Sequence, residues 1–241
     1  MKKLLIILLV LPLMAFAQEV EERIMTMTQF KIKQGHTSQF KDGVKKYKEC
    51  YTADQGENEW NFWSRMQGEG TVYGVTGFMD KWAEMDETDE AGKDCYSIVM
   101  NFIMPHVETI TNDMAKTLPD WSRKNAPTAQ AKLAWVTYYK VDNGGNFSDV
   151  IKEVTSTMKE VEGDSRAYWY SVIGGDIDNA DYMVSSTYNS YAELDVKRDT
   201  PYEMYVKARG EDKAKEISDI WESAGVKSWS YIWEHQPELS N

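Results

Sequence analysis

Met79-Asp80-Lys81-Trp82-Ala83-Glu84-Met85-Asp86 returns 109 residues later as Tyr188-Asn189-Ser190-Tyr191-Ala192-Glu193-Leu194-Asp195. An aromatic stands on an aromatic at 82 and 191, Ala-Glu on Ala-Glu, and a closing Asp on Asp. A repeat at this spacing means one folding unit written twice, and it sets the architecture before any single motif does. No motif in the chain names a catalyst.

Working outward from the first copy, residues 24–32 alternate branched and aromatic positions and read as a strand. Gln34-Gly35 ends it, and Ser38 is placed to cap a helix running to about Ala53, with Phe40, Val44, Tyr47 and Tyr51 on one face. Residues 59–66 and 71–79 read as two strands joined at Gly68-Glu69-Gly70. Trp82 opens a short helix. A longer helix is expected from 93 to 116, kinked at Pro105, and then a short fourth strand at 118–123 around Trp121. The polar stretch 125–132, with Pro127, is the expected linker. The second copy then repeats the order: strand 133–141, a helix capped by Asn146, strands 166–173 and 181–188, a short helix at Tyr191, a helix over 211–224, and a last strand over 226–234 in which Trp229 answers Trp121.

Each half therefore reads β-α-β-β-α-β, the split βαβ or ferredoxin-like unit. Helices cover one face of such a sheet, and the other face needs a partner. Here the second strand carries Trp60, Phe62 and Met66 on one side and Trp63 on the other, so both faces are buried. The fold expected is α+β: two tandem ferredoxin-like repeats, over 18–124 and 133–241, packed sheet to sheet as an intrachain α/β barrel.

The start of the chain reads as a targeting segment. Lys2-Lys3 precede a short apolar run, and Ala15-Phe16-Ala17 forms an A-x-A cleavage site before Gln18. Residues 1–17 are thus expected to be a signal peptide, and the mature protein periplasmic or secreted. The formal net charge is −12, and cleavage removes two further lysines. That balance disfavours nucleic acid, whose phosphates call for Lys and Arg, and anionic membrane surfaces. No second long apolar run follows, so no membrane insertion is expected after cleavage. An oligomer is possible. The two cysteines, Cys50 and Cys95, read as lying on separate helices. Parallel helices would hold them far apart, which disfavours a bond, while export would allow one.

In element order, and in the helix starts Trp82-Ala83-Glu84 and Tyr191-Ala192-Glu193, the chain resembles the dimeric α/β-barrel superfamily, in particular its NIPSNAP-like and antibiotic-biosynthesis-monooxygenase-like branches. The resemblance implies two ferredoxin-like units paired in one chain. The superfamily includes cofactor-free monooxygenases, haem-using and haem-degrading enzymes and small-molecule isomerases, so it selects no single activity. None of its catalytic motifs can be carried over onto this chain.

The candidate site is accordingly built from residue chemistry. Asn61, Trp63 and Arg65 share one face of the second strand by two-residue alternation. A cation on a buried face requires a partner, which is either a carboxylate of the protein or an acidic ligand. The second half offers Tyr168, Tyr170 and Tyr182, phenols that want hydrogen bonds when buried. His106, just past Pro105, would suit a noncovalent haem, which needs an axial side chain in an apolar pocket. His36 and His235 read as loop and tail residues. The acidic run Asp86, Glu87, Asp89, Glu90 reads as a solvated helix start, and no metal site is expected. The expected function is binding of a small apolar or aromatic ligand in an aromatic-lined cavity, without a cofactor. The alternatives are a cofactor-free or haem-dependent monooxygenase or isomerase, and a protein-interaction module.

Overall fold

The structure is a computed structural model that describes residues 22–124 and 131–241. The expected signal peptide and positions 125–130 of the expected linker lie outside the described residues. The first half runs β1 (Ile24–Ile32), α1 (Thr37–Ala53), β2 (Asn61–Arg65), β3 (Thr71–Met79), α2 (Glu90–Asp94), α3 (Tyr96–Ile98) and β4 (Val107–Thr117). The second runs β5 (Leu133–Lys140), α4 (Gly144–Glu162), β6 (Tyr168–Val172), β7 (Tyr182–Tyr188), α5 (Pro201–Arg209), α6 (Glu211–Ser223) and β8 (Lys227–His235).

The eight strands among the described residues form one closed barrel in the order β1-β3-β2-β8-β5-β7-β6-β4. Starting from β4, the order β4-β1-β3-β2 is one ferredoxin-like sheet and β8-β5-β7-β6 is the other. They close into the expected intrachain α/β barrel and face each other across its lumen. Their edges hydrogen-bond, β2 to β8 (Trp63↔His235, Arg65↔Trp233) and β4 to β6 (Ala115↔Val172, Thr117↔Tyr170). Closure satisfies the backbone groups that an open edge would leave unpaired. Alternate side chains then face a common lumen or the outer helices. On the outer side of the first half, Phe62, Tyr73 and Val107 pack with Phe40 and Val44 of α1, with Ile103, and with Leu239 from the chain's end. The second half does the same with Trp169, Val184 and Tyr139 against Phe147 and Ile151 of α4.

The repeated stretch is a strand-to-helix corner. In the first copy the Glu84 carboxylate accepts from the Asp80 and Lys81 amides, at 3.1 Å each. In the second the Glu193 carboxylate accepts from the Asn189 amide at 3.0 Å. Each corner turns into a five-residue 3₁₀ helix, Trp82–Asp86 and Tyr191–Asp195. The Glu at this position ties down amides that have just left the ladder, which is why it recurs.

Several expectations are corrected. The long helix over 93–116 does not form. Short helical turns end at His106, and Val107–Thr117 is β4, paired with both β1 and β6. Pro105 lacks an N–H and stops the helix rather than bending it. Beyond it Val107, Thr109, Ile110, Thr111 and Thr117 are β-branched, and two neighbouring strands supply ladders for them. The fourth strand is therefore β4, and 118–123 is a turn. Its Trp121 belongs to the second half's core, 5.9 Å from Trp169, so it is not the counterpart of Trp229 on β8. Asn143, not Asn146, caps α4, its side chain accepting from the Gly145 and Asn146 amides. Helix α1 begins one residue before Ser38, behind His36, with no side-chain cap.

The cysteines are also corrected. Cys50 and Cys95 form a disulfide with Cα atoms 6.0 Å apart. The expected separation assumed two long parallel helices. In fact α1 meets a broken run of short turns, and its Gly43 lets the Phe102 carbonyl approach to where a Cβ would stand.

Candidate functional site: the barrel lumen

Eight strands leave an interior that side chains just fill, or that holds one small ligand. Here about 650 Å³ remains open. The reason is local. Lumen-facing positions carry Gly74 and Thr76 on β3, Ala134 on β5, and Ser185 and Thr187 on β7, where larger groups would close the barrel. Met25, Met27, Tyr138, Met183 and Trp233 bound the hollow with apolar surface, and Trp63, Tyr168 and Tyr170 add flat walls. Arg23 and Asp80 pair at 2.6 Å at the solvent-facing rim, with the Arg23 guanidinium 5.2 Å from the Phe78 ring centroid.

Burial pushes the Tyr170 phenol well above its usual range. It does the same to Tyr138, and the nearby Trp233 indole N–H pulls that value part of the way back. Both hydroxyls stay protonated at neutral pH and can donate. Trp63 Nε1 donates to Thr76 Oγ1 at 3.1 Å, which fixes that ring in the wall.

Of the sequence-derived candidates, Asn61, Trp63, Tyr168 and Tyr170 border the lumen. The other three do not line the hollow. Tyr182 faces outward, its ring centroid 4.7 Å from that of Phe147, because position 182 has the opposite parity to lumen-facing Met183. His106 immediately precedes β4, its Nδ1 2.9 Å from His36 Nδ1, so one imidazole donates a hydrogen bond to the other. Arg65 shares the lumen side of β2, one strand step beyond Trp63. Its expected carboxylate partner is absent among the described residues. Instead the guanidinium lies 4.6 Å from the Tyr231 ring centroid and a terminal nitrogen donates to the Glu69 carbonyl. The hairpin folds its own backbone over that terminal nitrogen.

The sequence reading missed Met25, Met27, Ala134, Ser185, Thr187 and Trp233. The signal lay in the small residues alternating along β7 and β3, which are too small to fill a barrel. It also misplaced His235, which is buried, not a solvated tail residue. Its ring centroid lies 4.8 Å from that of Trp63, its Nε2 is 3.1 Å from Ser240 Oγ, and burial lowers its pKa.

A second hollow, about 1340 Å³, opens outside the barrel between α4–α6 and the β5–β7 face, beside Met158, Arg166, Tyr205 and Trp221. The first half closes its equivalent space with Leu239, whose carbonyl accepts from Trp60 Nε1 at 2.9 Å. Neither hollow has a histidine or cysteine in its wall, so neither fits a haem held by those axial donors. Among the described residues no three His, Cys, Asp or Glu side chains converge as a metal site would require, and no helix is long and apolar enough to cross a membrane.

No family model and no curated protein sequence matches the chain. Solved structures do. A candidate monooxygenase of Fusobacterium nucleatum superposes with a TM-score of 0.54 at 12% identity, over 89% of this chain and 93% of that one. An anthrone oxidase-like protein gives 0.52 at 7% identity, over 89% and 91%. The fold is the dimeric α/β barrel. A candidate monooxygenase of Lactobacillus acidophilus, at 0.50 and 13% identity over 89% and 94%, shares it. In this α/β barrel both units belong to one polypeptide, and identities this low speak for the fold alone.

Proposed function

We propose that the chain is an exported protein that holds a small, flat, aromatic or apolar molecule in the barrel lumen. The observation that carries this reading is the 650 Å³ hollow in a barrel of a size that side chains ordinarily fill. Its walls combine indole and phenol faces with a few polar groups, the composition of a small-molecule site. An open lumen favours a ligand over an interaction module, which would want a solid core. The Cys50–Cys95 bond supports export, because disulfides persist in oxidising compartments.

The test is a tryptophan-fluorescence titration with 2-naphthol. Wild type should quench saturably, and Ser185→Leu, which fills the hollow, should weaken binding at least tenfold while leaving the fold intact. Quenching that is absent, or unchanged in Ser185→Leu, overturns the reading. A second reading is cofactor-free oxygenation, in the antibiotic-biosynthesis-monooxygenase-like branch. The descriptions of two structural neighbours as candidate monooxygenases support it, as does a carboxylate, Asp80, at the rim of the lumen. Oxygen uptake with anthrone that falls to background in Asp80→Asn would favour it.

A further inference from the structure

Arg65 on β2 and Trp233 on β8 are direct cross-strand partners. Such partners hold their side chains side by side on one face. The face is the lumen side, since Trp233 borders the hollow and Arg65 follows Trp63 by two residues. Among the described residues, Arg65 Nε and Trp233 Nε1 are the two buried side-chain nitrogen or oxygen atoms with no hydrogen-bond partner. Buried donors are almost always satisfied, so a neighbouring pair of orphans calls for an explanation. Both are N–H donors, and one belongs to a cation with no carboxylate beside it among the described residues. Tyr231 backs the guanidinium, and the Trp233 indole N–H faces the Tyr138 phenol oxygen.

The corner adjoins the hollow through Trp233, which lines it, while the Arg65 head lies beyond, against the Gly68-Glu69 hairpin. Four residues separate Asn61, toward the rim, from Arg65, about 13 Å along an extended strand. Two fused aromatic rings with one substituent span most of that length.

Building on the lumen reading above, we propose that the ligand is an aromatic carboxylate that enters acid first, its carboxylate accepting from Arg65 Nε and Trp233 Nε1. Charge-assisted bonds to a carboxylate are the strong ones, and the aromatic body fills the space between Trp63 and Tyr170. Both nitrogens are screened from solvent, so the acid reaches them by displacing the ring beside them, Tyr138 or Tyr231. The ligand then satisfies donors that the empty barrel cannot, and a neutral molecule of the same shape does not.

Calorimetric titration with 2-naphthoate and with neutral 2-naphthalenemethanol tests this. Wild type should bind the acid at least tenfold tighter. Arg65→Met should abolish that preference, and Trp233→Phe, which keeps a ring but loses the N–H, should reduce it several-fold. The affinity for the alcohol should stay unchanged in Arg65→Met, whose side chain does not line the hollow. On unmutated protein, the indole N–H resonance missing from Trp233→Phe should move downfield with naphthoate and stay in place with the alcohol. Equal affinity for acid and alcohol, with both lost in Ser185→Leu, overturns this inference and leaves the lumen reading standing. Binding of neither overturns both.

Discussion

Removing the Cys50–Cys95 bond should destabilise the protein by about 4 kcal/mol. The bond closes a loop with a sequence separation of 45. In the chain-entropy account, a loop of that size restricts the unfolded chain by roughly 13 cal/mol/K, or about 4 kcal/mol at 25 °C. For a chain of this length, that corresponds to a melting temperature lower by on the order of 10 °C. Because Cys95 is fully buried, alanine there adds the smaller cost of the lost sulfur's packing. The assay is guanidinium unfolding of wild type and of Cys50→Ala/Cys95→Ala, with and without reductant, followed by far-UV circular dichroism and tryptophan emission together. The double variant should show the earlier midpoint, and reductant should shift wild type but not the variant. A loss below about 1 kcal/mol would refute the loop-entropy argument. Two free thiols in unreduced protein would refute the bond itself.

Trp121 is buried to 6% exposure at the junction of the halves, and Trp121→Ala should cost about 3–5 kcal/mol in thermal unfolding; a surface-strand tryptophan would cost far less. Thr200 caps α5 by accepting from the Glu203 amide at 3.2 Å, while the Glu203 carboxylate accepts from the Thr200 amide at 2.8 Å. Thr200→Ala should lower the melting temperature by about 3 °C, and Thr200→Ser should restore most of it. His235 is held neutral by burial, so its folded pKa lies below the unfolded value of 6.5. The unfolded chain then takes up the proton first. The stability that neutral His235 contributes is present above pH 6.5 and is lost as the pH falls toward the folded pKa. His235→Gln should flatten that part of the stability–pH curve, and an unchanged slope would show that the ring is not desolvated.

Which parts of this were readable in advance follows from the range of the forces involved. The repeat, the order of most elements and the turn glycines are local: a capping Glu, a run of alternating residues or a positive-φ Gly acts over a few positions. So did the α5 capping box, Thr200-Pro201-x-Glu203, which was legible and overlooked. The segment 107–117 was not legible, because Val107, Ile110 and Met114 also fit a helical period. Only the presence of β1 and β6 on either side makes it a strand.

The site divides the same way. Strand alternation alone put Asn61, Trp63 and Arg65 on one face, and Tyr168 and Tyr170 on another. That the two faces look into the same space required the β2–β8 and β4–β6 ladders, which join residues more than 50 positions apart in sequence. The Cys50–Cys95 bond, the outward turn of Tyr182 and the hollow itself were likewise decided only by closure. The sequence by itself determined two ferredoxin-like halves with aromatic inner faces. The tertiary structure decided that they meet edge to edge around an open lumen, because a barrel's interior volume depends on how side chains from all eight strands add up at each level, and no single strand records that sum.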